Sequence, residues 1–197
     1  MIRKAVILFS VTAAVGAAAG FAATRGGSAG VSPPDVALKG NFSIAQAQAF
    51  ADFPLYNAGS SVDGIPLTAV VHSTGASTFV SFLYGDCHAS DDMGCALPLE
   101  IQVWPACIRN PSLYQSSRPG GLTPGATSVR GVPAASFEGG SRLEIQTGTS
   151  TVVVFARTPD VAMQVASALR GVNLPVQASD RLPQPAAGAL DGKLGCG

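Results

Sequence analysis

The stretch that decides the fold of this chain is residues 79–107, FVSFLYGDCHASDDMGCALPLEIQVWPAC. It holds three of the four cysteines and the only tryptophan. Two runs within it, FVSFLYG and LPLEIQV, are rich in β-branched and aromatic residues and alternate partly with a period of two, which predicts two β-strands. The polar loop between them, HASDDMG, predicts that the strands pair as an antiparallel hairpin.

Two cysteines indicate a register for this hairpin. If Cys87 faces Cys95, a disulfide between them would close the loop and stabilise the fold by about 2.5 kcal/mol in the chain-entropy model. A one-residue slip would exchange the two faces of each strand. The register predicts one apolar face made of Phe79, Leu83, Leu99, Ile101 and Val103, and a second face made of Val80, Phe82 and Tyr84.

The loop of the hairpin also carries candidate metal ligands, which are Asp86, His88, Asp91 and Asp92. Carboxylates and imidazole are hard or borderline ligands, so their closeness in sequence makes a metal site one hypothesis. The alternative is that these side chains only keep a hairpin tip soluble. The sequence contains no EF-hand spacing, paired CxxC or HExxH motif, and we therefore predict no cofactor.

Composition and motifs limit the function classes. The formal net charge is zero and only 12% of the residues are charged, so the chain has no basic patch for nucleic acid. It also has no nucleophile elbow, Walker loop or dinucleotide-binding fingerprint. We therefore predict a non-enzymatic protein with no catalytic residues.

The N-terminus predicts export. Residues 5–23 contain no charge and would span about 28 Å as a helix, with Arg3 and Lys4 on the cytoplasmic side. The segment is either a signal peptide, with Ala17-Ala18-Ala19 as its cleavage site, or an uncleaved transmembrane anchor. Residues 24–41 are rich in Gly, Ser and Pro, which is typical of a flexible linker.

Residues 42–175 are predicted to form one extracytoplasmic domain. Ser43 and Gln46 make a capping box that predicts a short N-terminal helix. Thr158, followed by Pro159, predicts the start of a second helix that ends before Gly171. With five or six strands between them, the pattern predicts an α+β fold in which an antiparallel sheet carries the C-terminal helix on one face.

Alternation assigns faces to the remaining strands. In strand 64–74 it places Ile65, Leu67, Ala69 and Val71 inward and His72 outward. The outward histidine is either a base or ligand, or a solvent-exposed residue without such a role. Further strands are predicted over 129–137, 142–147 and 151–156. In strand 142–147 the pattern places Leu143 and Ile145 inward and Arg142, Glu144 and Gln146 outward, and the run TVVVFA predicts a strand buried on both faces.

Two segments have no periodic pattern. Residues 108–128 form a long loop rich in Pro and Gly, and Tyr114 and Arg118 are its candidate partner contacts. Residues 176–197 are predicted to be an irregular tail. An even number of cysteines in an exported chain predicts two disulfides, so pairing of Cys87 with Cys95 leaves Cys107 for Cys196. The alternative for Cys196 is a free or intermolecular thiol.

Two blocks of the sequence resemble known bacterial proteins. AFADFPLYNAGSSVDGIPLTAV, followed by YGDC…GC…PLEIQVWPAC, resembles a family of uncharacterised extracytoplasmic proteins with an N-terminal membrane segment. The block from VRGVPAASF through LEIQTG and TVVVFA to AMQVASALRGV is similar in rhythm to extracytoplasmic domains attached to anti-sigma factors and to lipoprotein-carrier-like domains. The first resemblance implies no activity, and the second implies a strand hairpin closed by a helix.

These observations predict a binding or interaction domain of the cell envelope, tethered to the cell membrane by a single pass through residues 5–23 or secreted. Its partner would be an envelope protein. The alternative is a carrier that holds a lipid or another apolar ligand between sheet and helix, and a metal-dependent enzyme is the third hypothesis. A carrier needs an enclosed apolar pocket, whereas an interaction domain needs a filled core and an exposed binding patch.

Overall fold

The computed structural model describes residues 40–86, 88–90, 94–96, 98–113, 125–175 and 181–196. Its helices are α1 (Ile44–Ala49) and α2 (Pro159–Ala168), and Glu138–Gly140 forms a 3₁₀ turn. Its strands are β1 (Tyr56–Asn57), β2 (Ser61–Val62), β3 (Ile65–Thr74), β4 (Thr78–Tyr84), β5 (His88–Ser90), β6 (Gly94–Ala96), β7 (Leu99–Pro105), β8 (Gly125–Val129), β9 (Val132–Phe137), β10 (Arg142–Thr147), β11 (Ser150–Ala156) and β12 (Arg170–Gly171).

Eight strands form one antiparallel sheet in the order β2-β3-β4-β7-β11-β10-β9-β8. After β7 the chain crosses to the far edge of the sheet and returns strand by strand until β11 lies beside β7. Two small antiparallel pairs, β1 with β12 and β5 with β6, complete the strands of the described residues. The sheet and its late helix confirm the predicted α+β class.

Helix α2 covers one face of the sheet, which we call the helix face. Thr158 caps the helix by accepting a hydrogen bond from the backbone N–H of Val161 at 3.3 Å. The buried residues that meet between helix and sheet are Ala162, Val165, Ala166 and Leu169 from the helix side and Leu143, Ile145, Val152 and Val154 from the sheet. Each of these eight side chains is at most 2% exposed, so the space between helix and sheet is occupied by close-packed apolar groups.

Helix α1 begins as its sequence predicts. The Ser43 hydroxyl accepts from the backbone N–H of Gln46 at 3.1 Å, and the Gln46 side chain accepts from the Ser43 N–H at 2.8 Å. This reciprocal pair is the predicted capping box. Ala47 is the residue of the helix that is fully buried, and it belongs to the same core as the helix face.

The predicted register of the central hairpin is wrong by one residue. Val80 pairs with Val103 and Tyr84 pairs with Leu99, and in the short β5–β6 pair Ala89 lies opposite Cys95. As a result Val80, Phe82 and Tyr84 are fully buried, whereas Phe79 and Leu83 are half-buried on the other face. The observed register is favoured because Val80, Phe82 and Tyr84 form a continuous apolar stripe. The predicted stripe on β4 was interrupted by Ser81.

A β-bulge corrects the predicted faces of β3. Leu67 pairs with Tyr84 and Ala69 pairs with Leu83, so Thr68 is an extra residue without a partner in β4. Its hydroxyl donates to the carbonyl oxygen of Gly85 at 2.8 Å. The bulge reverses the alternation of sides in the part of β3 that follows it. Val70 and His72, predicted to point outward, are therefore on the same side of the sheet as the helix face.

A tight turn divides the strand predicted over residues 129–137. Arg130 and Gly131 both have positive φ, 48° and 85°, and Val129 pairs directly with Val132. This geometry is that of a two-residue hairpin turn. Strand β8 therefore lies before the turn, partly within the segment that was predicted to be a loop.

Residues 181–196, part of the predicted irregular tail, contain no helix or strand, but they pack against the domain. Residues 181–189, which we call the tail strap, run along the sheet end formed by the β8–β9 and β10–β11 turns. Leu182 and Ala189 are 2% and 1% exposed, and the N–H of Leu182 donates to the carbonyl oxygen of Arg130 at 3.2 Å. Residues 190–196, the terminal hook, follow and end in a disulfide between Cys196 and Cys107. The sequence did not predict this packing, because Leu182 and Ala189 lie in a proline-containing segment and form no periodic apolar pattern.

Candidate functional site

The face of the sheet opposite to α2, which we call the polar face, carries a row of hydrogen-bonded side chains across β4 and β7. Ser81 donates to Glu100 at 2.8 Å, and Gln102 donates to the same carboxylate oxygen at 2.9 Å. The Trp104 indole N–H then donates to the Gln102 amide oxygen at 3.0 Å. These contacts fix the orientation of three half-buried side chains, so a ligand that binds there meets a surface that is already ordered.

Aromatic and cationic groups lie at one end of this row. The rings of Phe79 and Trp104 stack with their centroids 4.1 Å apart, and the Arg109 guanidinium carbon is 5.1 Å from the centroid of the Trp104 ring. All three residues are half-buried. Trp and Arg are the residue types that most often dominate binding energy at protein interfaces. This end of the row is therefore the best candidate for a binding hot spot among the described residues.

A buried carboxylate adjoins the hot spot. Glu144 is fully buried, and its two carboxylate oxygens accept hydrogen bonds from the Arg109 guanidinium, one of them at 2.9 Å from Nε. Arg142 approaches the same carboxylate from its own strand, with its Nε atom 3.5 Å from Oε1. Because an uncompensated buried charge is costly, the two arginines make the burial of Glu144 tolerable. Glu144 lies on the side of β10 opposite to the helix face, as the alternation predicts, but it is buried there.

The turn after β7 positions Arg109. The N–H of Ala106 donates to the carbonyl oxygen of Thr149 at 2.8 Å, and the Thr151 hydroxyl donates to the carbonyl oxygen of Arg109 at 2.5 Å. The segment thereby covers the polar side of β10 and β11, which explains why Thr151 and Gln146 are also buried. Sequence reasoning missed Arg109, because it lies in a stretch without periodicity and its partner Glu144 is 35 residues away.

The Cys107–Cys196 disulfide joins this turn to the terminal hook, with the two Cα atoms 5.4 Å apart. The pair agrees with the predicted connectivity. Beside it lies an open cleft of about 370 Å³. The cleft is lined by Asp52, Phe53, Thr78, Pro105, Cys107, Ile108, Thr149, Leu194, Gly195 and Cys196.

Three of the other predicted sites lie wholly or partly outside the described residues. Asp86 is exposed at the end of β4, but Asp91, Asp92 and the His88 side chain lie outside them, as do Tyr114 and Arg118. Cys87 and the side chain of Cys95 lie outside them as well. Within the part of the chain that is described, no group of three or more His, Cys, Asp or Glu side chains could hold a metal ion.

His72 is half-buried among aromatic rings, so the expectation of a solvent-exposed strand histidine is corrected. Its ring centroid is 5.0 Å from that of Phe42 and 5.3 Å from that of Phe50. The side chain of Asn41 accepts from the His72 N–H at 2.9 Å and donates to its carbonyl oxygen at 3.0 Å. Asn41 thus covers part of the edge of β3 that β2 leaves unpaired.

The phenol of Tyr84 is buried in the core. Burial raises the pKa of its phenol to about 12. The hydroxyl accepts from the N–H of Ala58 and donates to the carbonyl oxygen of Gly59, both at 3.0 Å. The phenol therefore fixes the segment before β2 against the sheet and is engaged in structure.

No family model, curated protein or solved structure matches the chain. Among the described residues, no helix is both long enough and apolar enough to span a membrane.

Proposed function

We propose that this protein is a non-enzymatic, extracytoplasmic interaction domain of the cell envelope that binds a partner protein through its polar face. The observation that carries the proposal is the ordered row Ser81–Glu100–Gln102–Trp104, which ends in the stack of Trp104 with Phe79. It combines half-buried aromatic surface with fixed hydrogen-bonding groups, the combination typical of interface centres.

The disulfide supports the extracytoplasmic location. Cys107 and Cys196 are bonded across 89 residues of sequence. Such bonds persist in oxidising compartments and are rare where thiols are kept reduced. The uncharged run at residues 5–23, preceded by Arg3 and Lys4, favours the same location.

The environments of Glu100, Glu144 and His72 favour a binding function over a catalytic one. Glu144 is buried and ion-paired, and a carboxylate oxygen of Glu100 already accepts two hydrogen bonds from neighbouring side chains. His72 packs against two phenylalanine rings. Each group thus has a structural role that accounts for its position.

The packing of α2 bears on the carrier alternative. A carrier would hold its apolar ligand between α2 and the sheet, but Ala162, Val165 and Ala166 are fully buried there and belong to the main hydrophobic cluster. Admitting a ligand would require α2 to separate from the sheet. We therefore favour partner binding on the polar face.

Site-specific photo-crosslinking in cells tests the proposal. A photoreactive residue at Leu83, which is half-buried beside Glu100 on the polar face, is expected to form a discrete adduct with one envelope protein. The same residue at Met163, which is 39% exposed on α2, is the matched control and should not form that adduct. Identical adducts from both positions, or an adduct from Met163 alone, would contradict the proposal.

A second variant links the adduct to the hot spot. Trp104→Phe retains an aromatic ring beside Phe79 but removes the indole N–H that donates to Gln102. With the probe at Leu83, this change should reduce the adduct several-fold while far-UV circular dichroism stays unchanged. An adduct that persists at full yield would place the binding surface elsewhere.

A further inference from the structure

The Cys107–Cys196 disulfide lies in the wall of the open cleft, and we propose that it is a redox latch. Reduction of this bond by a dithiol would release the terminal hook (residues 190–196) while the rest of the domain stays folded. The inference rests on the accessibility of the bond and on the way the tail is attached. It does not depend on which partner the polar face binds.

The disulfide is accessible to a thiol. Cys196 is exposed and Cys107 is half-buried. Both residues line the cleft of about 370 Å³, which is open to solvent and large enough for a small dithiol. Exposed disulfides are the ones most readily reduced, whereas fully buried ones resist exchange.

The tail is attached in two different ways. The tail strap is hydrogen-bonded to the body of the domain: the carbonyl oxygen of Pro183 accepts from the Thr147 hydroxyl at 2.9 Å and from the Gly148 N–H at 3.3 Å. The N–H of Ala186 donates to the carbonyl oxygen of Gly148 at 2.8 Å. With Leu182 buried as well, the strap has anchors that do not involve the disulfide.

The terminal hook has few such anchors among the described residues. The N–H groups of Lys193 and Leu194 both donate to the carbonyl oxygen of Gly188, and Lys193 forms an ion pair with Asp191. These contacts join residues of the tail to one another and do not connect the hook to the sheet. The Leu190 side chain is 42% exposed. The disulfide is therefore the covalent connection between the hook and the turn after β7, where Gly192 also lies against Asn110 and Ser112.

Release of the hook would change the cleft. Leu194, Gly195 and Cys196 form one wall of it, and Phe53 and Ile108 lie among the residues of the remaining walls. Once the hook has left, apolar surface around Ile108 becomes more exposed. Arg109 would keep its place, because its carbonyl oxygen and its guanidinium are bonded to Thr151 and Glu144 independently of the cysteines.

The exchange balances as a two-electron transfer. A thiolate of the dithiol attacks Sγ of Cys196, the bond between the two Sγ atoms breaks, and Cys107 leaves as a thiolate that takes a proton from water. The second thiol of the dithiol, once deprotonated, attacks the mixed disulfide and releases Cys196. The protein gains two thiols, and the dithiol is oxidised to its disulfide.

The test uses dithiothreitol on the folded, full-length protein, with thiol alkylation and peptide mapping at successive times. We expect Cys107 and Cys196 to become alkylated while far-UV circular dichroism and Trp104 fluorescence remain native. The Cys87→Ser/Cys95→Ser variant, which leaves the latch as the sole cysteine pair, should behave in the same way. If that variant does not fold, peptide mapping of the natural sequence still resolves the two cysteines. Alkylation that appears only together with global unfolding would overturn the proposal.

Hydrogen exchange locates the released segment. Reduction should lower protection at the Lys193 and Leu194 amides by at least about tenfold and leave the Leu182 and Ala186 amides unchanged. The Cys107→Ser/Cys196→Ser variant should show the reduced pattern without dithiothreitol and should not respond to it. An unchanged hook, or equal loss of protection in hook and strap, would contradict the latch.

Discussion

At the scale of single residues, the contact between Arg109 and Glu144 decides how the polar face is covered. We predict that Arg109→Ala lowers the free energy of unfolding by about 2 to 4 kcal/mol, because it removes one partner of a carboxylate that is fully buried. The lower end allows for the 25% exposure of the Arg109 side chain. Urea denaturation measures the difference.

A matched control separates burial from charge pairing. Arg142 also pairs with Glu138 at 2.9 Å, but the Glu138 side chain is 54% exposed. Glu138→Gln should therefore change the free energy of unfolding by no more than about 0.5 kcal/mol. Equal effects of Arg109→Ala and Glu138→Gln would show that Glu144 is not buried as described.

Tyr84 predicts a fall in stability at alkaline pH. Its pKa is about 12 in the folded protein and about 10 in an unfolded chain, so folding favours the neutral phenol. The stability from this group is fully present below pH 10 and is lost as the pH rises through 12. Two pKa units correspond to about 2.7 kcal/mol. Absorbance at 295 nm, compared between the natural protein and Tyr84→Phe and followed together with circular dichroism, should show that this phenol ionises only well above pH 10 and that the fold is lost as it does so.

The Tyr84→Phe variant is the control for the alkaline prediction. It should be less stable at neutral pH by about 1 to 3 kcal/mol, because the Ala58 N–H loses its acceptor. Between pH 10 and 12, however, its stability should fall less steeply than that of the natural protein. Parallel pH curves for the two proteins would count against the assignment.

Glu144 also illustrates what a residue pattern can and cannot predict. Alternation correctly placed Leu143 and Ile145 on the helix face and Glu144 on the opposite face. It failed to predict burial, because a strand pattern does not reveal that a distant turn with Arg109 covers that face. Hence the polar side of β10 was predictable, whereas the polar side of β4 and the hot spot were not.

At the scale of elements, Asn173 connects two segments that are far apart in sequence. Its amide nitrogen donates to the carbonyl oxygens of Phe50 and Phe53, both at 2.8 Å, and its amide oxygen accepts from the Leu55 N–H at 2.7 Å. We predict that Asn173→Ala lowers the free energy of unfolding by about 3 kcal/mol, since three backbone groups lose partners. Thermal or urea denaturation provides the measurement.

Two comparisons test this role of Asn173. Asn173→Asp keeps the acceptor for Leu55 but places a carboxylate against two carbonyl oxygens, so it should be as harmful as alanine near neutral pH and partly recover in acid. Gln164→Ala removes an exposed side-chain bond to Asp63 and should cost less than about 1 kcal/mol. Similar losses for Asn173→Ala and Gln164→Ala would contradict the prediction.

The element boundaries show where sequence reasoning ended. The capping box at Ser43 and the capped start of α2 were predictable, because they depend on neighbouring residues. The register of β4 with β7 was not, because facing Cys87 with Cys95 and burying the apolar stripe that includes Phe82 require registers one residue apart. The Thr68 bulge and the Arg130–Gly131 turn were missed because neither has a strong sequence signal.

At the scale of the whole molecule, the Cys107–Cys196 bond closes a loop with a sequence separation of 89. The chain-entropy model assigns such a loop about 4.6 kcal/mol, against about 2.5 kcal/mol for the predicted Cys87–Cys95 loop. We predict that Cys107→Ser/Cys196→Ser lowers the free energy of unfolding more than Cys87→Ser/Cys95→Ser does. Urea denaturation of both variants tests the order, and a reversed order would contradict it.

The last prediction concerns the location of the domain. Arg3 and Lys4 precede an uncharged run, and the bonded pair of Cys107 and Cys196 suits an oxidising space. We expect a reporter that requires export to be active when fused after Asn41, and protease added to intact spheroplasts to digest the domain. Mass spectrometry of the exported protein would show whether residues 5–23 are cleaved or remain as an anchor.

Charge reversal at the N-terminus provides the control. Arg3→Glu/Lys4→Glu removes the positive charges that orient the segment, so reporter activity should fall although the apolar run is unchanged. A domain that is protected from protease, with Cys107 and Cys196 open to alkylation in cells, would contradict export. The latch would then have no oxidising compartment in which to close, and an interaction at the cell envelope would lose its main support.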